Sequence, residues 1–171
     1  MKKAIFYLLC NLIIFHSSNA QNVHPSDSSE SLGEVIIKAY EQNKSLLKIP
    51  AAINQINKNQ LDRYNNSNIL TALNSTSGVR MEERSPGSYR MNIRGNTLRS
   101  PFGVRNVKVY WNDIPFTDPG GNTYLNQLSY YNFNSIEIIK GPGSSLYGAG
   151  SGGVILINSL PDKWNHGVDA T

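Results

Sequence analysis

The chain has 171 residues, a single cysteine and a formal net charge of +4. That length holds one hydrophobic core, so a single domain is expected. One cysteine excludes a disulfide framework or a cysteine-built metal site, and so small a charge is not the footprint of a nucleic-acid binder.

Lys2 and Lys3 precede the short apolar run AIFYLLCNLIIF, and Ser18-Asn19-Ala20 closes it with small residues. This is the pattern of a secretory signal peptide over residues 1–20. The run falls short of the roughly 20 apolar residues of a membrane-spanning helix. Cys10 sits inside it as filler. Cleavage after Ala20 would leave fourteen basic and twelve acidic residues, so half of the positive excess belongs to the leader. Residues 21–33, QNVHPSDSSESLG, are polar and predict a mobile N-terminal segment that extends to 44. Within it EVIIKAY, Glu34 to Tyr40, is an isolated β-prone island.

The folded domain is expected over 45–160, with its first regular element near Ala51. AAINQIN alternates as a strand, and NKNQLDRY reads as one or two helical turns. Asn66 or Ser67 is placed to cap a second helix, NILTALNS, which should stop near Gly78. GVRMEE reads as a strand. YRMNIRG sets Tyr89, Met91 and Ile93 against Arg90, Asn92 and Arg94, the alternation of a half-buried strand. VKVYWNDIPF is a strand that breaks at Asn112-Asp113. YLNQLSYY reads as a short helix, and SIEIIKG and GVILINS are strands on either side of a glycine-rich turn. The class is α+β: a small mixed β-sheet with short helices and loops.

That turn concentrates six of the fourteen glycines between Gly141 and Gly153. Gly148, Gly150 and Gly153 satisfy G-x-G-x-x-G, but a dinucleotide site needs a helix after the glycines and VILIN is a strand. Gly143 and Gly148 begin a phosphate-loop pattern, yet Ala149 and Gly150 stand where Lys and Ser/Thr must be. A glycine turn pressed against neighbouring backbone is the reading that fits. No nucleophile motif, zinc motif or cysteine pair is present. His24 and His166 lie in the two ends. Glu82 and Glu83 are strand neighbours that point to opposite faces. The chain is expected to be no enzyme and to carry no cofactor and no metal.

Three stretches in order resemble the plug domain of TonB-dependent outer-membrane receptors. They are MNIRGN (91–96), VKVYWNDIPF (107–116) and IEIIKGPGSSLYGAGSGGVILINS (136–159). The last is similar to the family's long terminal signature. The resemblance implies a gate inside a β-barrel, in the outer membrane. It implies plug–barrel contacts at Arg94, Gly95, Lys140, Gly141, Tyr147, Gly148, Gly152 and Gly153. Lys140 stands where the family has arginine, which keeps the charge but not the bidentate fork. Asn112-Asp113 replaces the usual Asp-Gly, and both residues tolerate a left-handed turn.

The resemblance also makes Glu34, Val35, Ile36, Ile37, Lys38 and Ala39 the TonB box, to which TonB of the inner-membrane energy complex adds a β-strand. All seven arginines lie between Arg63 and Arg105. Arg84, Arg99, Ser100 and Phe102 fall in loops suited to greet an anionic ligand such as an iron chelate. The segment 96–121 is most similar to citrate-type iron-complex receptors and not to the glycan-importing branch. A barrel needs several hundred residues, so the C-terminal β-barrel is expected to be missing here, with 161–171 as its start. The alternative is a free-standing periplasmic ligand-binding or signalling module with a plug fold.

Overall fold

The computed structural model describes residues 34–160, apart from 42, 65–68 and 97–102. The leader, residues 21–33 and 161–171, the caps Asn66 and Ser67, and the loop residues Arg99, Ser100 and Phe102 lie outside the described residues. The chain divides into the units Met1–Glu34 and Val35–Thr171, and Glu34 alone among the described residues belongs to the first.

A five-stranded mixed sheet organises the second unit. Its strands are β3 (Ile53–Asn57), β6 (Val107–Trp111), β7 (Ile114–Pro115), β8 (Ser135–Lys140) and β9 (Gly153–Asn158), in the order β3-β8-β9-β6-β7. β9 pairs antiparallel with β8 and parallel with β6, so the central strand is hydrogen-bonded on both sides. Two small ribbons accompany it: β1 (Ile36–Ile37) with β2 (Lys44–Ser45), and β4 (Val79–Ser85) with β5 (Ser88–Ile93).

Local sequence explains each junction. α1 (Lys58–Leu61) starts from Asn57, whose side chain accepts from the Gln60 N–H at 2.9 Å while Gln60 Oε1 accepts from the Asn57 N–H at 3.0 Å, a reciprocal cap. α2 (Leu70–Asn74) is fastened to β4 because Asn74 both donates to the Met81 carbonyl at 3.0 Å and accepts from its N–H at 2.7 Å. This helix ends at Asn74, short of Gly78, and Ile69 precedes it without a side-chain cap. The β6–β7 hairpin turns at Asn112 (φ 48°) and Asp113 (φ 66°), the left-handed pair that a two-residue hairpin requires. YLNQLSYY forms two single 3₁₀ turns, Leu125–Gln127 and Tyr130–Asn132.

Strand periodicity gives the sheet two faces. Ile136, Ile138, Ile155, Ile157, Val107 and Val109 point to one, where they meet Ala72, Leu73, Met81, Met91 and Ile93 from α2 and the β4–β5 ribbon. Ile53, Ile139, Val154 and Leu156 point to the other and meet Ile37, Ala39, Ile49 and Tyr147. β8 and β9 are therefore buried almost throughout, which is why SIEIIK and VILIN read as continuous β-branched runs. No helix among the described residues is long and apolar enough to cross a membrane, which leaves β-barrel strands unaddressed.

Candidate functional site

The second face of the sheet is closed by the chain's own N-terminal strap. The island EVIIKAY, expected to be mobile, is packed: Ile37 and Ala39 are fully buried while Val35 and Ile36 stay exposed. The reason is a partner far away in sequence. Glu137, on β8 and only 1% exposed, turns its carboxylate toward the strap. The Lys38 N–H donates to both carboxylate oxygens at 3.0 Å, and the Ala39 N–H donates to Oε2 at 2.9 Å. The next amide, Tyr40, donates to the Tyr147 hydroxyl at 2.6 Å. Glu137 was not singled out in the sequence. Its signal there is one acid inside a β-branched run, where a buried carboxylate must find donors.

The glycine-rich stretch is the second component. Between β8 and β9 it contains α3 (Ser144–Tyr147), a short helix where a plain turn was expected. Close approach is required at Gly143, where a Cβ would lie 2.4 Å from Val154 Cγ2, and at Gly153, where it would lie 2.5 Å from the Ile139 carbonyl oxygen. Gly152 packs against Asn106, whereas Gly148 needs its glycine for conformation alone, at φ +71° with open space around it. Tyr147 differs from its expected place at a barrel wall. It is 7% exposed and points inward, edge-on to Tyr40 and Tyr110 with ring centroids 5.7 and 5.5 Å away. The Tyr110 hydroxyl donates to the Tyr147 carbonyl at 3.2 Å, which holds the loop to β6. Gly152 and Gly153 are likewise buried against their own domain.

Arg94, Gly95, Lys140 and Gly141 form an outer edge. Arg94 is exposed with φ 52°, Gly95 follows at φ 79°, and Gly141 has φ 126°. The Arg94 N–H donates to the Gly78 carbonyl at 2.8 Å, and the Lys140 ammonium donates to the Ser77 carbonyl. Burial and then the nearby Arg94 guanidinium push the Lys140 pKa down. The ion pairs among the described residues, Lys58–Asp62 at 2.9 Å and Arg80–Glu82 at 2.8 Å, involve neither cation. Of the four expected ligand residues, Arg84 is described and is exposed on β4. No group of three His, Cys, Asp or Glu side chains converges among the described residues.

The family model of the TonB-dependent receptor plug domain matches residues 45–155. The chain belongs to that family. Solved structures with the same fold include the P. aeruginosa receptor FpvA bound to heterologous pyoverdines, at 19% identity and TM-score 0.56, covering 72% of this chain and 16% of that one. Another is a double mutant of the Serratia marcescens hemophore receptor HasR with its hemophore HasA and heme, at 18% identity and TM-score 0.51, covering 66% of this chain and 17% of that one. The plug thus spans about a sixth of the receptors it resembles.

In this plug the charge on Glu137 is contested. Burial pushes its carboxyl above the ordinary glutamate range, while the Lys38 and Ala39 amides and the Lys38 charge pull it down. Burial prevails, so the folded plug holds this proton more tightly than the unfolded chain does. The resulting stabilisation is complete below the ordinary glutamate range and is lost as pH rises through the raised pKa. The urea midpoint of the wild type minus that of Glu137→Gln is therefore expected to be largest in acid and to shrink toward neutrality. A difference that widens with pH would contradict this account.

Proposed function

We propose that this chain is the gate of an outer-membrane transporter that imports an iron chelate, driven by TonB through residues 34–39. The observation that carries the reading is the plug-family match across 45–155. The pyoverdine and heme named with FpvA and HasR favour a chelated-iron cargo. So does the exposed Arg84 on the β4–β5 ribbon. On this reading Arg94, Gly95, Lys140, Gly141 and Gly148 face a surrounding β-barrel. Among the described residues no ion pair involves these two adjacent cations, Arg94 and Lys140, so carboxylates from that wall would complement them. Signal peptide 1–20, plug 45–160 and a barrel starting within 161–171 complete the proposed organisation.

The test is uptake of ferric chelates by cells carrying the complete receptor with Ile36→Pro. Ile36 is exposed, so the substitution removes a backbone donor and an extended register from the strap while adding no clash to the core. Transport is expected to fall at least tenfold with receptor abundance unchanged. Uptake at the wild-type rate would overturn the assignment of the strap to TonB.

A further inference from the structure

Where the central strand ends, the sheet leaves a groove of about 390 Å³ whose lining includes Lys58, Trp111, Tyr131, Asn132, Phe133 and Ser159. We propose that residues 161–164, Pro-Asp-Lys-Trp, dock in this groove, with the Trp164 ring as the apolar anchor and Asp162 as the polar one. The inference depends on the chain's own residues and on neither the cargo nor TonB.

Four elements finish together to build the groove. β3 runs into α1 at Asn57 and Lys58, β6 ends at Trp111, β8 begins just after the 3₁₀ turn Tyr130–Asn132, and β9 ends at Asn158. The floor is apolar, because Phe133 belongs to the core of the first face and Trp111 packs against it. Tyr131 stands at the rim, 69% exposed. One lining residue is out of balance. The indole Nε1 of Trp111 is buried and finds no acceptor among the described residues. A buried donor left unpaired is costly, so an acceptor from a further segment is called for. Lys58 is already paired with Asp62 at 2.9 Å, but an ammonium has three donors and can take a second carboxylate.

Continuity of the chain names the occupant. Ser159 is part of the lining, and Asn112 holds it twice: Nδ2 donates to Ser159 Oγ at 2.6 Å, and Oδ1 accepts from the Ser159 N–H at 2.8 Å. The chain therefore leaves the sheet at the groove itself, and the residues that follow start there at an effective concentration no separate partner has. Leu160 precedes Pro161, which favours extended backbone at Leu160. From Ser159 to Trp164 the chain reaches at most about 17 Å, enough to fold back across a groove of that volume. The segment brings what the lining lacks. Asp162 is an acceptor for the Trp111 indole or the Lys58 ammonium, and Trp164 is an indole to set beside the rings of Tyr131 and Phe133. Docking there fixes the exit of β9 to the face packed by α2 and the β4–β5 ribbon, so the part of the receptor that follows begins from a set position.

The experiment is disulfide cross-linking in outer membranes that carry the complete receptor, cleared of other cysteines, with Asn132→Cys paired with Lys163→Cys. Such a bond needs Cα atoms within about 7 Å. Lys48→Cys with Lys163→Cys is the control, because Lys48 lies between Leu46 and Ile49, which pack on the second face of the sheet. Asn132 and Lys48 are both exposed, so neither change disturbs the core. Cross-linking is read as the fraction of receptor protected from a maleimide-polyethylene-glycol label, which makes it independent of receptor abundance. The first pair is expected to cross-link at least fivefold more than the control, and adding Trp164→Ala should lower it several-fold. Equal cross-linking of the two pairs overturns the docking. So does a cysteine at 132 that resists the label without joining the one at 163, since another part of the receptor then covers the groove. Cross-linking that survives Trp164→Ala unchanged overturns the proposal too, because Trp164 is then not the anchor.

Discussion

Replacing Gly153 by alanine is expected to cost about 3 kcal/mol or more, read as a fall in the urea midpoint of this chain. Gly153 opens the central strand and is paired on both sides, with Lys140 of β8 and Val107 of β6. A Cβ there would lie 2.5 Å from the Ile139 carbonyl oxygen and 2.9 Å from Ile93 Cδ1. The ladder prevents the backbone from moving aside, and φ at +153° is poorly suited to an L side chain. Gly148→Ala is the comparison, because Gly148 has positive φ but nothing within 4 Å of the added atom. It should cost about 1–2 kcal/mol, the conformational part alone. Equal losses at the two positions would show that close approach is not what Gly153 provides.

Truncating Ile155 to alanine should destabilise the fold by about 2–5 kcal/mol in the same unfolding measurement. Ile155 is fully buried, and its neighbours across the ladder on either side are Ile138 and Val109, both also fully buried. Three branched side chains in a row leave little freedom to collapse into the space, so the transfer and cavity contributions add. Ile114, 67% exposed on the edge strand β7, should lose less than about 0.5 kcal/mol on the same change. A small effect at Ile155 would mean that the first face is loosely packed.

These two substitutions probe the permanent side of the sheet. The other side differs in kind, because part of its cover is a strap attached through one short ribbon and a few hydrogen bonds to side chains. On the proposed reading, a gate opened by a pull benefits from that asymmetry. The face packed by α2 and the β4–β5 ribbon keeps the domain folded, while the strap face can be uncovered without dismantling the ladder. On the proposed reading, force enters at the weakest cover of the sheet.

Much of this was legible in the residues because its causes are local. The alternation of Tyr89, Met91 and Ile93 announces a half-buried strand, Asn112-Asp113 announces a left-handed turn, and NKNQLDRY announces a helical turn. In each case neighbours in the chain settle the geometry. The long glycine signature likewise places the family, since backbone that approaches backbone leaves no room for side chains. The pairing of β6 with β9 was decided only in three dimensions, as were the inward turn of Tyr147 and the seating of the strap on Glu137. The Glu137–strap contact joins residues about a hundred positions apart, and its hydrogen bonds offset part of the cost of burying a carboxyl group in the sheet. Residues 34–39 read as a mobile leash because nothing beside them in sequence would hold them, and they are held by the far face of a sheet that exists only once the chain has folded.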